Sequence, residues 1–169
     1  FVIMLGTFVK LYGIVGLAFF FFVKQKPKFI LYCIFWSVVL FVLPMLFFTP
    51  QYIIQSYFDW YNSLAEKQLL NASLTSMQDI SVMGMVRRVT GNTQISNLPF
   101  LAVGLILFSI PYLRIKQYEA PMFRLLFLAS TLIFVVIFSN SSESPTYIIA
   151  FCGVAIWFVM QEKPKSFLV

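Results

Sequence analysis

A lysine inside an apolar run is the first group in this sequence that could do chemistry. Lys10 interrupts the stretch Phe1 to Val23. An ionised side chain at the centre of a membrane span costs about 2.5–3.5 kcal/mol on insertion scales, so it must face a polar cavity or a partner. Otherwise it snorkels to an interface. Its chemistry would be to hold an anionic group such as a lipid phosphate. Arg87 and Arg88 are adjacent guanidiniums, and each can form a bidentate fork on phosphate oxygens. General attraction to lipid headgroups is their plainer reading. Two carboxylates stand in suggestive settings. Glu143 lies within Ser141-Ser-Glu-Ser-Pro-Thr146-Tyr147, where it could act as a base or accept from a sugar hydroxyl. Its plainer reading is a solvated loop residue. Asp59 sits beside Trp60 and Tyr61, and acids flanked by rings grip sugars. An amphipathic helix at a membrane surface needs the same residues.

Other chemistry is excluded by composition. The chain has no His and only two Cys. Cys33 and Cys152 each lie in an apolar run, so they read as small buried apolar groups, and no CxxC pair suggests a metal. No His-based triad and no His-ligated metal can be built from these residues, and no metal or cofactor is expected.

The elements that must position these groups follow from the apolar pattern. The 169 residues are 60% hydrophobic and 11% charged, against about 45–50% and about 25% in a soluble domain. This excludes a soluble enzyme, a disordered tail and a nucleic-acid-binding domain. The net charge of +6 is a topology signal, because eight of the twelve Lys and Arg flank apolar runs. A span needs about 20 apolar residues. Five are expected, near residues 1–23, 29–48, 98–113, 122–139 and 147–160, the third and fifth short enough to require tilt or local thinning. Lys24, Lys26 and Lys28 separate the first two. Arg114, Lys116 and Arg124 separate the third and fourth, and Lys163 and Lys165 follow the fifth. These turns are expected in the cytoplasm, with the C-terminus. The segment 49–97 and the Glu143 loop then face outward.

The long outer segment should carry structure of its own. Ile53 or Ile54, Tyr57, Trp60 or Tyr61, and Leu64 recur at helical spacing, which predicts an interfacial helix. Ser76-Met-Gln-Asp79 has the form of a capping box, predicting a second short helix through Val89, ending at Arg87-Arg88 with Gly91 as its stop. The expected fold is all-α: a polytopic transmembrane helical bundle of about five spans with outer-face interfacial helices. Phe1 begins inside an apolar stretch, so an N-terminal part is expected to precede these residues in a longer chain.

The order of these features is familiar. Val9-Lys10-Leu11-Tyr12-Gly13 leads into the basic turn Lys24 to Lys28. A span ending Pro44-Met-Leu-Phe-Phe-Thr-Pro50 follows, then Tyr57-Phe-Asp-Trp-Tyr-Asn-Ser-Leu64 and Asn71-Ala-Ser-Leu74. Ser144-Pro145-Thr146-Tyr147 closes the series before the last span. This resembles the C-terminal half of glycosyltransferase family 87, integral membrane enzymes of the GT-C class. The resemblance implies a hexose, usually mannose, carried on a polyprenyl phosphate, and a lipid-linked or glycan acceptor on the outer face of a bacterial inner (plasma) membrane. It implies metal-independent transfer, with basic residues stabilising charge on the departing phosphate. Lys10 would match the family's membrane-embedded lysine, and Ser144 and Pro145 its Ser-Pro loop.

Under the same resemblance, Lys10, Arg87 and Arg88 would bind the donor phosphate, and Ser144, Thr146, Tyr147 and Trp60 would line the substrate pocket. The family's catalytic acid belongs to the first outer loop of the N-terminal half, so Glu143 and Asp59 are only candidates here and the fragment alone is expected to be inactive. Family members often carry a His near the Ser-Pro loop, where this chain has Thr146 and Tyr147. The alternatives are a transporter or flippase for a lipid or anionic solute, and a structural membrane subunit packed through Gly6, Gly13 and Gly16. A transporter should show inverted repeats and broken helix pairs and polar groups near mid-membrane, whereas the polar clusters here gather at the outer surface.

Overall fold

The computed structural model describes residues 1–71, 73–74, 79–139 and 142–161, without the side chain of residue 68. Every regular element among them is helical. The chain divides into two compact units, Phe1–Lys67 and Gln68–Val169.

In the first unit the apolar run 1–23 is not one helix. Helix α1 (Val2–Val9) stops at Lys10, whose backbone is extended, and a 3-10 helix follows over Leu11–Phe22. The 3-10 helix folds back on α1 along a seam of small residues. A Cβ on Gly13 would lie 2.3 Å from the Gly6 carbonyl carbon and 2.3 Å from the Thr7 nitrogen. Only a residue without a side chain permits that approach. Glycines Gly6 and Gly13 therefore bring helices together within this chain, and the single crossing expected over 1–23 is replaced by a hairpin with Lys10 at its tip.

Helix α2 (Lys26–Val42) begins with Pro27 in its first turn, where a missing N–H is harmless. With the 3-10 turn Leu43–Leu46 it forms the one element among the described residues that is long and apolar enough to cross a membrane, Lys26–Leu46. None of its most apolar stretch is buried inside the chain. A helix apolar all round and so exposed belongs among lipid or other helices. Helix α3 (Pro50–Asn71) matches the expected interfacial helix and runs seven residues beyond Leu64. It packs on α2 through Tyr57, which stacks on Phe41 with centroids 4.6 Å apart and planes 12° apart, and donates its hydroxyl hydrogen to the Phe41 carbonyl at 3.2 Å.

The second unit holds α4 (Val82–Thr90), α5 (Leu98–Ser109), α6 (Pro121–Ile137) and α7 (Tyr147–Val159). Phe108 of α5 sits on Phe127 and Phe134 of α6, with centroids 5.3 and 4.7 Å apart. Helices α6 and α7 meet backbone to backbone, since a Cβ on Gly153 would come within 2.7 Å of the Ala129 carbonyl oxygen. Small residues at such a seam are how helices associate where apolar burial gives no drive. Helices α5 with its 3-10 extension to Leu113, α6, and α7 with its preceding turn stand where three further spans were expected, but each is shorter than a full crossing. At about 1.5 Å per residue the 17 residues of α6 extend about 26 Å, against a hydrocarbon core of about 30 Å. Against the five spans expected, the described residues hold one helix long and apolar enough to cross a membrane and four shorter apolar helices, Leu11–Phe22 included. The basic turn between α5 and α6 is tied by its own polar groups: the Tyr118 hydroxyl donates to the Tyr112 carbonyl and Arg124 Nε to the Tyr118 carbonyl, both at 2.7 Å. The basic segment after the last helix lies outside the described residues.

Candidate functional site

The polar centre of the second unit is built around Asp79 and Arg87. Arg87 Nη1 lies 3.0 Å from Asp79 Oδ2, and the two residues are 6% and 1% exposed. Sequence makes this possible: α4 is nine residues long, so Arg87 in its last turn can reach back over the helix to the residue that precedes it. The other two guanidinium nitrogens are also engaged. Arg87 Nε donates to the Ile95 carbonyl at 3.4 Å, and Nη2 donates to Asn97 Oδ1. A buried ion pair requires such extra partners, because Coulomb attraction alone does not repay desolvation.

Asp79 is satisfied from its other side by Ser81, whose backbone N–H and hydroxyl both donate to Asp79 Oδ1. The same Ser81 oxygen accepts from the Gly84 N–H at 3.1 Å and so caps α4. This corrects the expected start of the helix. The cap is Ser81, and the expected Ser76-to-Asp79 box falls mostly outside the described residues, while Asp79 itself is drawn into the ion pair. Gly84 is part of the arrangement, since a Cβ there would lie 2.3 Å from the Asp79 carbonyl oxygen. At the other end Gly91 takes the left-handed conformation, φ 68°, and ends α4 as expected.

The residue between these groups ties α4 to the Ser-Pro loop. The Ile80 N–H donates to the Ser142 carbonyl at 3.0 Å, and the Ile80 carbonyl accepts from the Tyr147 hydroxyl. Ser142 is fully buried and its hydroxyl lies against the Val136 and Ser139 carbonyls at the end of α6. Ser144–Thr146 forms a 3-10 turn into α7, with the Thr146 N–H on the Glu143 carbonyl at 2.8 Å. Thr146 is buried, Glu143 is half-buried, and Ser144 is exposed.

Beside this clamp lies a cavity of about 460 Å³. Its wall includes Val82, Met85 and Val89 of α4 and Ile137 of α6, with Arg88 and Tyr147 as its charged and aromatic members. Arg87 and Arg88 thus part company: one turns into the protein and the other onto a cavity wall, because neighbouring positions on a helix point about 100° apart. The structure brings Arg88 and Tyr147 together on one wall. Arg87 is buried, and its three nitrogens all have protein partners. Sequence reasoning took Asp79 only as the end of a capping box and missed its pairing with Arg87. A carboxylate eight positions before an arginine, across a serine cap, was the available signal.

The first unit carries the remaining predicted residues. Lys10 is exposed at the hairpin tip with its ammonium 4.8 Å from the centre of the Tyr12 ring, a cation–π contact. Trp60 lines a cavity of about 290 Å³ with Phe8, Pro44, Ile53, Ser56 and Tyr57. Asp59 is exposed on another face of α3, where it accepts from Gln55 Nε2 at 2.9 Å. Asp59 and Trp60, neighbours in sequence, do not share that cavity. Among the described residues no cluster of three or more His, Cys, Asp or Glu side chains could hold a metal ion. No curated protein and no solved structure matches the chain. The sequence model of glycosyltransferase family 87 matches residues 1–139.

Proposed function

This chain belongs to glycosyltransferase family 87, and from that premise we propose that it takes part in moving a hexose, mannose in the first instance, from a polyprenyl phosphate to a lipid-linked or glycan acceptor. Membership supports a membrane glycosyltransferase in general. The observation that carries the finer reading is the cavity beside α4, apolar on nearly all of its wall and lined in part by Arg88. An isoprenoid chain wants an apolar wall, and its phosphate wants a fork of N–H donors. Tyr147 begins α7 on the same wall and Ser144, Thr146 and Glu143 precede it in the Ser-Pro turn, so the donor's sugar would lie toward that turn.

In the transfer, the acceptor hydroxyl oxygen attacks the anomeric carbon and the bond from that carbon to the phosphate oxygen breaks. The lipid phosphate leaves with the bonding electron pair, and a carboxylate takes the hydroxyl proton. Arg88 stabilises the charge that grows on the phosphate, an electrostatic effect strongest in a site that excludes water. Glu143 is the carboxylate of the second unit tested as that base. Lys10 and Asp59 offer a cation and a carboxylate in the first unit and are tested separately. The proposed setting is a bacterial inner membrane, with segment 49–97 outside and the C-terminus in the cytoplasm.

The test is a transfer assay with the intact protein in lipid, radiolabelled polyprenyl-phosphate-mannose as donor and a membrane extract as acceptor. Arg88→Ala, Lys10→Ala, Asp59→Ala and Glu143→Ala are compared with the wild type. Label entering a new lipid or glycan, and falling in Arg88→Ala, is the expected result. No transfer from any lipid-phosphate sugar, while labelled lipid still binds or crosses the membrane, overturns the enzyme in favour of a transporter.

A further inference from the structure

The buried ion pair stands one residue before each of two groups that shape the cavity. Asp79 precedes Ile80, which holds the Ser142 carbonyl through its N–H and the Tyr147 hydroxyl through its carbonyl. Arg87 precedes Arg88, which lines the cavity beside Tyr147. A rotation of α4 about its axis would move Arg88 off the wall, and a shift of Ile80 would release Tyr147 from it. Both movements are blocked by the same contact, since Arg87 is pinned to Asp79, Ile95 and Asn97 and Asp79 is pinned to Ser81 at the helix cap.

We infer that Asp79 and Arg87 are positioning residues, a clamp that fixes Arg88 and Tyr147 on one cavity wall so that the cavity is preformed for a phosphorylated isoprenoid. The inference rests on the reading of that cavity as the donor site. Stability alone does not account for the pair, because a buried ion pair replaced by apolar side chains of similar volume is often as stable or more so. What such a replacement removes is directional: three guanidinium donors and two carboxylate oxygens specify one rotation of α4, whereas leucine and methionine permit several. A preset site binds more tightly than one that must be ordered by its ligand.

The two roles are separated by the double variant Asp79→Leu/Arg87→Met, which removes both charges together. The intact protein in lipid nanodiscs is titrated with farnesyl phosphate, a short isoprenoid phosphate, and its unfolding temperature is followed in parallel. The expected result is binding weakened about tenfold, the order of loss when the ligand must itself order two side chains, at an unchanged or higher unfolding temperature. In the transfer assay the same variant should raise the donor KM and also lower kcat, because a displaced Arg88 is lost both to donor binding and to the charge growing on the phosphate. Wild-type binding in the double variant overturns the clamp and leaves the cavity reading standing. Failure of the wild type to bind farnesyl phosphate, while the full-length polyprenyl-phosphate sugar is still turned over, moves the donor away from this cavity and overturns the clamp with it. Where the double variant does not fold, Arg87→Lys decides. It keeps the charge but loses the fork to Asn97 and Ile95, and undiminished binding there overturns the inference.

Discussion

Arg87 Nη1 sits 3.0 Å from Asp79 Oδ2, with both side chains shut off from solvent. One arginine of an adjacent pair is thereby spent on structure, and its neighbour Arg88 is left on a cavity wall. The two are chemically identical and one residue apart, yet they should respond to substitution in opposite ways.

Arg88→Ala should leave the fold intact and weaken the donor. A hydrogen bond to a charged group contributes about 1.5–3 kcal/mol, or about ten- to a hundredfold in affinity. A donor titration in the transfer assay should show the donor KM rising by that factor and kcat falling as well, since Arg88 also meets the charge growing on the phosphate, with the unfolding temperature near wild type.

Asp79→Asn should instead destabilise. It leaves the Arg87 guanidinium buried without a counter-charge, which costs about 3–5 kcal/mol when one partner of a buried pair is removed. Thermal unfolding in detergent reads this directly, and the loss should exceed that of Ser81→Ala, where a helix cap contributes about 1 kcal/mol.

Gly84→Ala should destabilise although alanine favours helix. The new Cβ would meet the Asp79 carbonyl oxygen at 2.3 Å and its carboxyl carbon at 2.6 Å, and neither can retreat without breaking the ion pair. Overpacking of this kind costs about 1–3 kcal/mol, read as a lowered unfolding temperature.

Gly13→Ala should open the hairpin of the first unit, because its Cβ would overlap the backbone of Gly6 and Thr7. A cysteine pair placed across the seam, one in α1 and one in the 3-10 helix, should crosslink readily in the parent and poorly with the alanine present.

Tyr57 predicts an alkaline limit for the first unit. Burial pushes its phenol above the ordinary value of 10.0, so the folded chain favours the neutral form. The contribution to stability is complete below pH 10 and is lost as pH rises through the raised folded value, because the unfolded chain releases its proton first. Tyr57→Phe should remove that slope while weakening the unit at neutral pH through loss of the hydrogen bond to the Phe41 carbonyl. Unfolding temperature measured against pH, over about two units either side of the ordinary phenol value, checks both.

The sequence by itself determined the helical class, the places of most apolar elements, the helix over α3 and the Gly91 stop. It also carried the resemblance to glycosyltransferase family 87. These depend on local pattern: hydrophobic period, the fixed φ of proline, and the freedom of glycine to turn left-handed. Three features were decided only in three dimensions. The run 1–23 breaks at Lys10 because Gly6 and Gly13 let two backbones meet, and an apolar run reads the same whether it continues or doubles back. Helix α4 (Val82–Thr90) is capped by Ser81, whose hydroxyl also binds Asp79, the carboxylate that Arg87 holds. Arg87 and Arg88 divide between core and cavity because a helix turns about 100° per residue, and which of the two faces inward depends on where Asp79, Ile95 and Asn97 arrive around it. Those partners are brought by the path of the folded chain, and sequence spacing carries no record of that path.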